Sequence, residues 1–216
     1  MPRDIPVGNG DLLITFDRLY RVRDIYFPYV GRFNHTDGHV QRFGVWADGM
    51  FAWIEDPLWR RQLRYSPDSL VSHVRLTHDR LGLELICRDA VDCNDPVYFR
   101  HTTVRDLIGR RRDVRIFMHF DPSIRGSSVG DTANYDPATN SVIVYKDDAY
   151  FLINAADQHK SGIDHWAIGT KRLGGAEGTW RDAEDGILGR NAISQGSVDA
   201  TVGFNQIGRA SCRERV

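Results

Sequence analysis

The sequence predicts an all-β protein, a sandwich or barrel of short antiparallel strands. Three observations predict it: apolar residues recur with a period of two, turn-forming residues break these runs at regular intervals, and helical periodicity is nearly absent. Alternation sends one set of side chains to a core face and the other set outward. Many short alternating runs with turns between them favour packed antiparallel sheets over βαβ units.

The elements follow in chain order. Phe43–Trp46, then Ala47-Asp48-Gly49, then Phe51–Ile54 reads as a hairpin, because Asp-Gly readily supplies the positive φ of a tight turn. Val74 and Leu76 alternate with Arg75 and Thr77, and His78-Asp79-Arg80 links them to the row Leu81, Leu83, Leu85 and Cys87. His101 falls in a strand. Val114, Ile116, Met118 and Phe120 alternate with Arg115, Phe117 and His119. Asp136–Asn140 is a turn before Ser141–Tyr145, and Lys146-Asp147-Asp148 is a turn before Ala149–Asn154. Gly174–Gly196 reads as a long glycine-rich connection, with one or two helical turns over Thr179–Asp185 closed by Gly186. Val198, Ala200, Val202 and Phe204 form the final row.

Composition limits the function classes. With 41% hydrophobic and 26% charged residues in 216, the chain can bury a sizeable core. A net charge of −1 gives no field for nucleic acid or an anionic membrane. The one basic cluster, Arg110, Arg111 and Arg112, follows Gly109 and reads as a solvated loop. Cys87 reads as core and Cys93 as a turn residue, with no metal-ligand spacing; two unpaired thiols fit a reducing, cytoplasmic compartment. Neither a secretion signal nor a membrane span is expected.

The end of the chain departs from this pattern. Ile207–Val216 has no periodicity and resembles the translation of a short-read sequencing adapter, with a stop codon following in register. It is read as an artefact, leaving 1–206 as the protein. Without Arg209, Arg213, Arg215 and Glu214, the 28 basic and 29 acidic residues become 25 and 28, a net of −3.

Several stretches, taken in order, resemble the N-terminal domain of bacterial glycoside hydrolase family 15 proteins, the glucoamylase and glucodextranase group. Pro6–Leu13 resembles its opening Gly-Asn-Gly strand, and Asp24–Gly31 with Asn34-His35-Thr36 its aromatic-Pro loop. Phe43–Ile54, Gly130–Tyr135 and Trp180–Gly186 resemble later segments. The resemblance implies a large antiparallel β super-sandwich of the galactose mutarotase type, here incomplete at its C-terminal end. In the family a linker and an (α/α)6 barrel follow, and two barrel glutamates perform an inverting hydrolysis. No residue of this chain matches those glutamates, so no catalytic residue is expected within it. The implied partners are the protein's own catalytic barrel and, through it, an α-glucoside. Glucoamylase-, glucodextranase- and trehalase-like substrates all remain open.

Candidate residues are weighed on that basis. Tyr26, Phe27, Tyr29 and Phe33, with Asn34 and His35, form an aromatic loop suited to packing on the barrel or rimming its substrate site, and Trp180 joins them. Asp182, Glu184 and Asp185 read as solvated or capping groups. Ser127-Ser128 lacks the lysine of a phosphate loop. Neither a metal nor a cofactor is expected. Two alternatives stand beside this reading. One is a stand-alone carbohydrate-binding sandwich. The other is a mutarotase-like epimerase, in which His101 or His119 would meet a carboxylate.

Overall fold

The structure is a computed structural model that describes residues 5–39, 41–171 and 177–206, with Gln206 described by its backbone alone. Sixteen strands among the described residues form four antiparallel sheets. The first joins β1 (Ile5–Gly8), β2 (Leu13–Phe16) and β3 (Val22–Tyr26). The second runs β6 (Arg60–Tyr65), β7 (Ser72–His78), β8 (Leu83–Val91), β9 (Tyr98–Asp106). The third, which we call the central sheet, contains β4 (Arg42–Ala47), β5 (Met50–Trp53), β10 (Val114–Phe120), β14 (His165–Thr170) and β16 (Val198–Gln206), in the order β14-β16-β10-β4-β5. The fourth contains β11 (Asp131–Asp136), β12 (Ser141–Lys146), β13 (Ala149–Ile153) and β15 (Ile193–Gly196), in the order β13-β12-β11-β15. The expected all-β, antiparallel sandwich is what the chain adopts.

The alternation of the sequence becomes two cores under one sheet. Phe43, Val45, Ala47, Val114 and Ile116 of the central sheet pack with Phe16, Tyr20, Leu76, Leu83, Leu85 and Cys87. Ile168, Val198, Ala200 and Val202 of the same sheet pack with Ile124, Ala133, Val142 and Val144. Met118 touches both groups. Each buried aliphatic or aromatic side chain contributes roughly 1.5–3 kcal/mol, before the cost of ordering it.

The other face of the central sheet is covered too. Residues 177–188 cross it, and Ala183 and Leu188 pack on Trp53, Phe117 and Ala167. The opposite phase of the strands, including His119, Asp199 and Thr201, is therefore buried as well. The covering segment is a 3₁₀ helix, Thr179–Asp185, not an α-helix, and it ends at Gly186 in the left-handed region (φ 87°, ψ 4°). The helical turns and their glycine stop are where the sequence puts them. The hairpin turn also matches: Asp48 and Gly49 both have positive φ, at 49° and 87°.

Three expectations need correction. Pro6–Leu13 is a hairpin rather than one strand. Asn9 turns the chain by accepting from the Asp11 and Leu12 amides, at 3.0 Å each, and its amide ties the turn to the Asp92 and Asp95 carbonyls. The connection 174–196 contains strand β15, which pairs with β11. Arg112 is not solvated: it donates to Asp48 (2.7 Å), the Leu81 carbonyl (2.6 Å) and Asp106 (3.3 Å), and is buried, while Arg110 and Arg111 are exposed. Three acceptors satisfy its fork, which makes burial of the charge tolerable. Cys87 is buried and Cys93 exposed, as expected. The segment Ile207–Val216 lies outside the described residues.

Candidate functional site

The aromatic loop follows β3. Asn34 organises it: Oδ1 accepts from the amides of Ile25 and Thr36, both at 3.2 Å, and from the Thr36 hydroxyl at 3.0 Å, while Nδ2 donates to Asp24 at 2.8 Å. His35 is buried. Its Nε2 lies 2.9 Å from the Phe27 carbonyl and its Nδ1 accepts from the Arg125 amide at 3.2 Å, so the proton sits on Nε2. Burial pushes this imidazole below its usual pKa, although the Phe27 carbonyl favours the charged form. Its ring meets Phe151 edge-on at 4.9 Å. Asn34 and His35 thus hold the loop with the polar atoms a sugar would otherwise use. Phe27 packs on the larger core, and Tyr26 bridges to Asn34. Tyr29 is exposed and takes a 2.9 Å hydrogen bond on its hydroxyl from Arg32, whose guanidinium also lies over the Phe33 ring at 5.3 Å. Six of the seven sequence candidates therefore share one loop.

Trp180 makes its contacts elsewhere, on the 3₁₀ segment over the central sheet. Its ring lies under the guanidinium of Arg42 at 4.3 Å and meets Trp53 edge-on at 6.2 Å. Two clefts flank this segment. One, of about 380 Å³, is lined by Gly169, Thr170, Glu177, Thr179, Asp182 and Asp199. The other, of about 490 Å³, is lined by Arg42, Phe51, Trp53, Glu55, Asp56 and Glu184. Asp182 and Glu184 thus face different clefts, and Asp185 caps the Ile187 amide at 2.8 Å, which matches their expected capping and solvated roles.

Beneath the segment, His119 and Asp199 come together. The His119 Nε2 is 4.0 Å from Asp199 Oδ2, and its Nδ1 is 2.9 Å from the Thr201 hydroxyl. Asp199 Oδ2 accepts from the Thr179 amide (2.6 Å) and hydroxyl (3.1 Å), while Oδ1 is buried with no partner among the described residues. Burial drives His119 down to about 3, helped by the charges of Arg42 and Lys171, and burial holds Asp199 above the ordinary carboxylate value. A histidine this hard to protonate is a weak base at neutral pH. Asp199, with the Thr201 hydroxyl, pins Thr179, and with it the start of the 3₁₀ segment, to the sheet. His101, by contrast, is exposed on β9. No group of three or more His, Cys, Asp or Glu among the described residues is placed to hold a metal.

Sequence reasoning passed over Arg42, Trp53, Glu55 and Asp199. The signal was available for three of them: Trp53 occupies the outward phase of the Phe43–Ile54 hairpin, Arg42 continues that phase one residue before it, and Asp199 occupies the outward phase of the final row.

The fold and the clefts define the chain structurally as a multi-sheet antiparallel β-sandwich with a capped central sheet. No protein-family model and no curated protein matches it. Among solved structures it is similar to a bacterial glucoamylase complexed with acarbose, with a TM-score of 0.73 and 12% identity over 91% of this chain. The chain spans 28% of the length of that glucoamylase. At this identity the likeness is one of fold.

Proposed function

We propose that the chain is the non-catalytic N-terminal sandwich of an inverting, exo-acting glycoside hydrolase on α-glucosides. In this reading it supports a separate catalytic domain and rims its substrate site with the exposed Tyr29 and the half-buried Phe33 of the aromatic loop. The observation that carries the proposal is the fold match over 91% of this chain to just 28% of a glucoamylase. In this reading the two carboxyl groups that an inverting hydrolysis needs, roughly 6.5–9.5 Å apart across a sugar, belong to the separate catalytic domain. No helix among the described residues is long and apolar enough to cross a membrane. A reducing cytoplasmic setting, with Cys93 as a free surface thiol, belongs to the same proposal.

The test is enzymatic. The purified chain is expected to release no glucose from maltose, maltoheptaose or trehalose, while the full-length product of the source gene releases glucose as the inverted β-anomer from at least one of them. Turnover by the chain itself, abolished by a substitution within it, overturns the proposal, as does a full-length protein with no activity on α-glucosides.

A further inference from the structure

β13 (Ala149–Ile153) lies at the edge of its sheet, and among the described residues it has no strand neighbour other than β12. On the side away from β12, no hydrogen bond among the described residues reaches the backbone of 149–153. Such an edge offers a row of N–H and C=O groups to any strand that can lie beside it, and folded proteins guard their edges with charge, proline or a covering segment. Several edges here are guarded in these ways. β6 carries Arg60, Arg61 and Arg64, β9 carries Arg100 and Arg105, and β1 contains Pro6. The free side of β14 is met by the Arg190 amide and the Asn191 carbonyl. β13 reads Ala-Tyr-Phe-Leu-Ile and has none of these guards.

The strand is already fixed on its inner face. Phe151 and Ile153 pack on the smaller core, and the Phe151 ring meets that of His35 at 4.9 Å. Little ordering is therefore required when a partner arrives. Tyr150 and Leu152 point the other way, 64% and 59% exposed, and Tyr150 stacks on Tyr145 across the β12–β13 pair at 5.3 Å.

The sequence of β13 is also complementary to itself. Laid antiparallel to a copy and centred on Phe151, it sets Tyr150 opposite the partner's Leu152 and Leu152 opposite the partner's Tyr150. Ala149 then meets the partner's Ile153. Every residue keeps its face, which a slip of one position would reverse. The flanking charges stay clear of each other: Asp148 falls opposite the partner's Asn154, and Asp147 opposite the partner's Ala155.

We propose that the partner at this edge is a second copy of the chain, its β13 paired antiparallel with the first about a two-fold axis at Phe151, so that two four-stranded sheets become one. The inference does not depend on the functional proposal above.

The test is sedimentation velocity on the purified chain across a concentration series, with a reductant present so that a Cys93 disulfide is not counted. A dimer half-formed at about 100 μM or below is expected. Amide exchange over residues 149–153 should slow as the dimer fills, because interchain ladder bonds form there. Tyr150→Lys with Leu152→Lys brings lysine opposite lysine twice across the axis and is expected to weaken association about tenfold or more. Tyr150→Glu with Leu152→Glu should do the same, and an equimolar mixture of the two double variants should associate again. Ile193→Lys is the control: it is equally exposed on the same row of the sheet, three strands away at about 14 Å, and should leave association unchanged. Circular dichroism and thermal melts check that each variant is folded. The proposal is overturned by a monomer at every concentration up to about 500 μM, by species that grow beyond the dimer, by lysine variants that associate as the parent does, by a mixture that stays monomeric, or by loss of the dimer in Ile193→Lys, which would place the contact on the sheet face rather than its edge.

Discussion

Asp89 shows how partners decide the state of a buried charge. Burial by itself would push its carboxyl up. Arg100 at 2.8 Å and the hydroxyls of Ser72, Tyr20 and Tyr98, each at 2.5 Å, outweigh burial and hold it below the usual carboxylate value. Arg100 lies among the rings of Phe16, Tyr20, Phe43 and Tyr98, so its charge has little water to turn to. Asp89→Asn leaves that charge unpaired and is expected to cost about 3–5 kcal/mol, lowering the melting temperature by roughly 10 °C. The sign with pH follows from the direction of the shift. A carboxyl held low when folded stabilises above its unfolded value, near about 3.9, and that contribution is lost as pH falls through the depressed folded value. Thermal melts from pH 7 down to pH 3 on both proteins check this: the gap between parent and Asp89→Asn should be full at pH 7 and narrow in acid. A gap that does not change with pH would count against the ion pair. Asp89 was legible in part, since it continues the phase of Leu83, Leu85 and Cys87 into the core. Tyr20, 69 residues away, was not, because no local pattern reports a partner at that distance.

The 3₁₀ segment shows what a short element needs in order to persist. It has no side-chain cap, and its first residue is held instead by Asp199 from the sheet below. Its end depends on Gly186, whose positive φ disfavours any side chain, and a Cβ there would meet the Trp46 ring at 2.8 Å. Gly186→Ala should cost about 1–2 kcal/mol for the backbone alone, with further loss from the overlap. Differential scanning calorimetry should show a drop of several degrees, and faster amide exchange over residues 179–188; an unchanged melt would rule out this account of the stop. Strand legibility followed burial. β10 and β16 alternate cleanly because each must choose between a large core and the capped face. β6 reads Arg-Arg-Gln-Leu-Arg-Tyr and lies at a sheet edge with none of its residues fully buried, so its apolar phase is too thin to announce a strand. β15, four residues beside a glycine-rich stretch, is specified by its pairing with β11 rather than by its own composition.

For the molecule as a whole, the central sheet roofs both large cores, with Ile116 facing one and Val202 the other across the β10–β16 pair. Neither core closes without that pair. Heat or denaturant is therefore expected to give one transition, coincident by tryptophan fluorescence and far-ultraviolet circular dichroism. Leu85→Ala, costing about 2–5 kcal/mol, should shift both probes together; a split into two steps would mean the cores are independent. The class of fold was legible because alternation is a local property. The two-core arrangement was not, because it depends on which strands pair across distances such as Phe117 to Gly203. The candidate site divided the same way: aromatic residues clustered in sequence were found, while a cleft assembled from residues 42–57 and 184 left no local trace.

The placement of β16 carries a consequence for biosynthesis. Among the described residues β14 has no sheet neighbour other than β16, and β16 begins only at Val198. While the chain is being made, β14 must leave the ribosome and wait for its sheet partner until some thirty residues later in the sequence have followed it, its backbone held before then by Arg190 and Asn191. The same delay applies to Thr179, whose anchor Asp199 arrives with β16. The capped face, and both clefts with it, are thus completed in the last act of translating this region. A chaperone that shields an unpaired strand would find β14 during that interval.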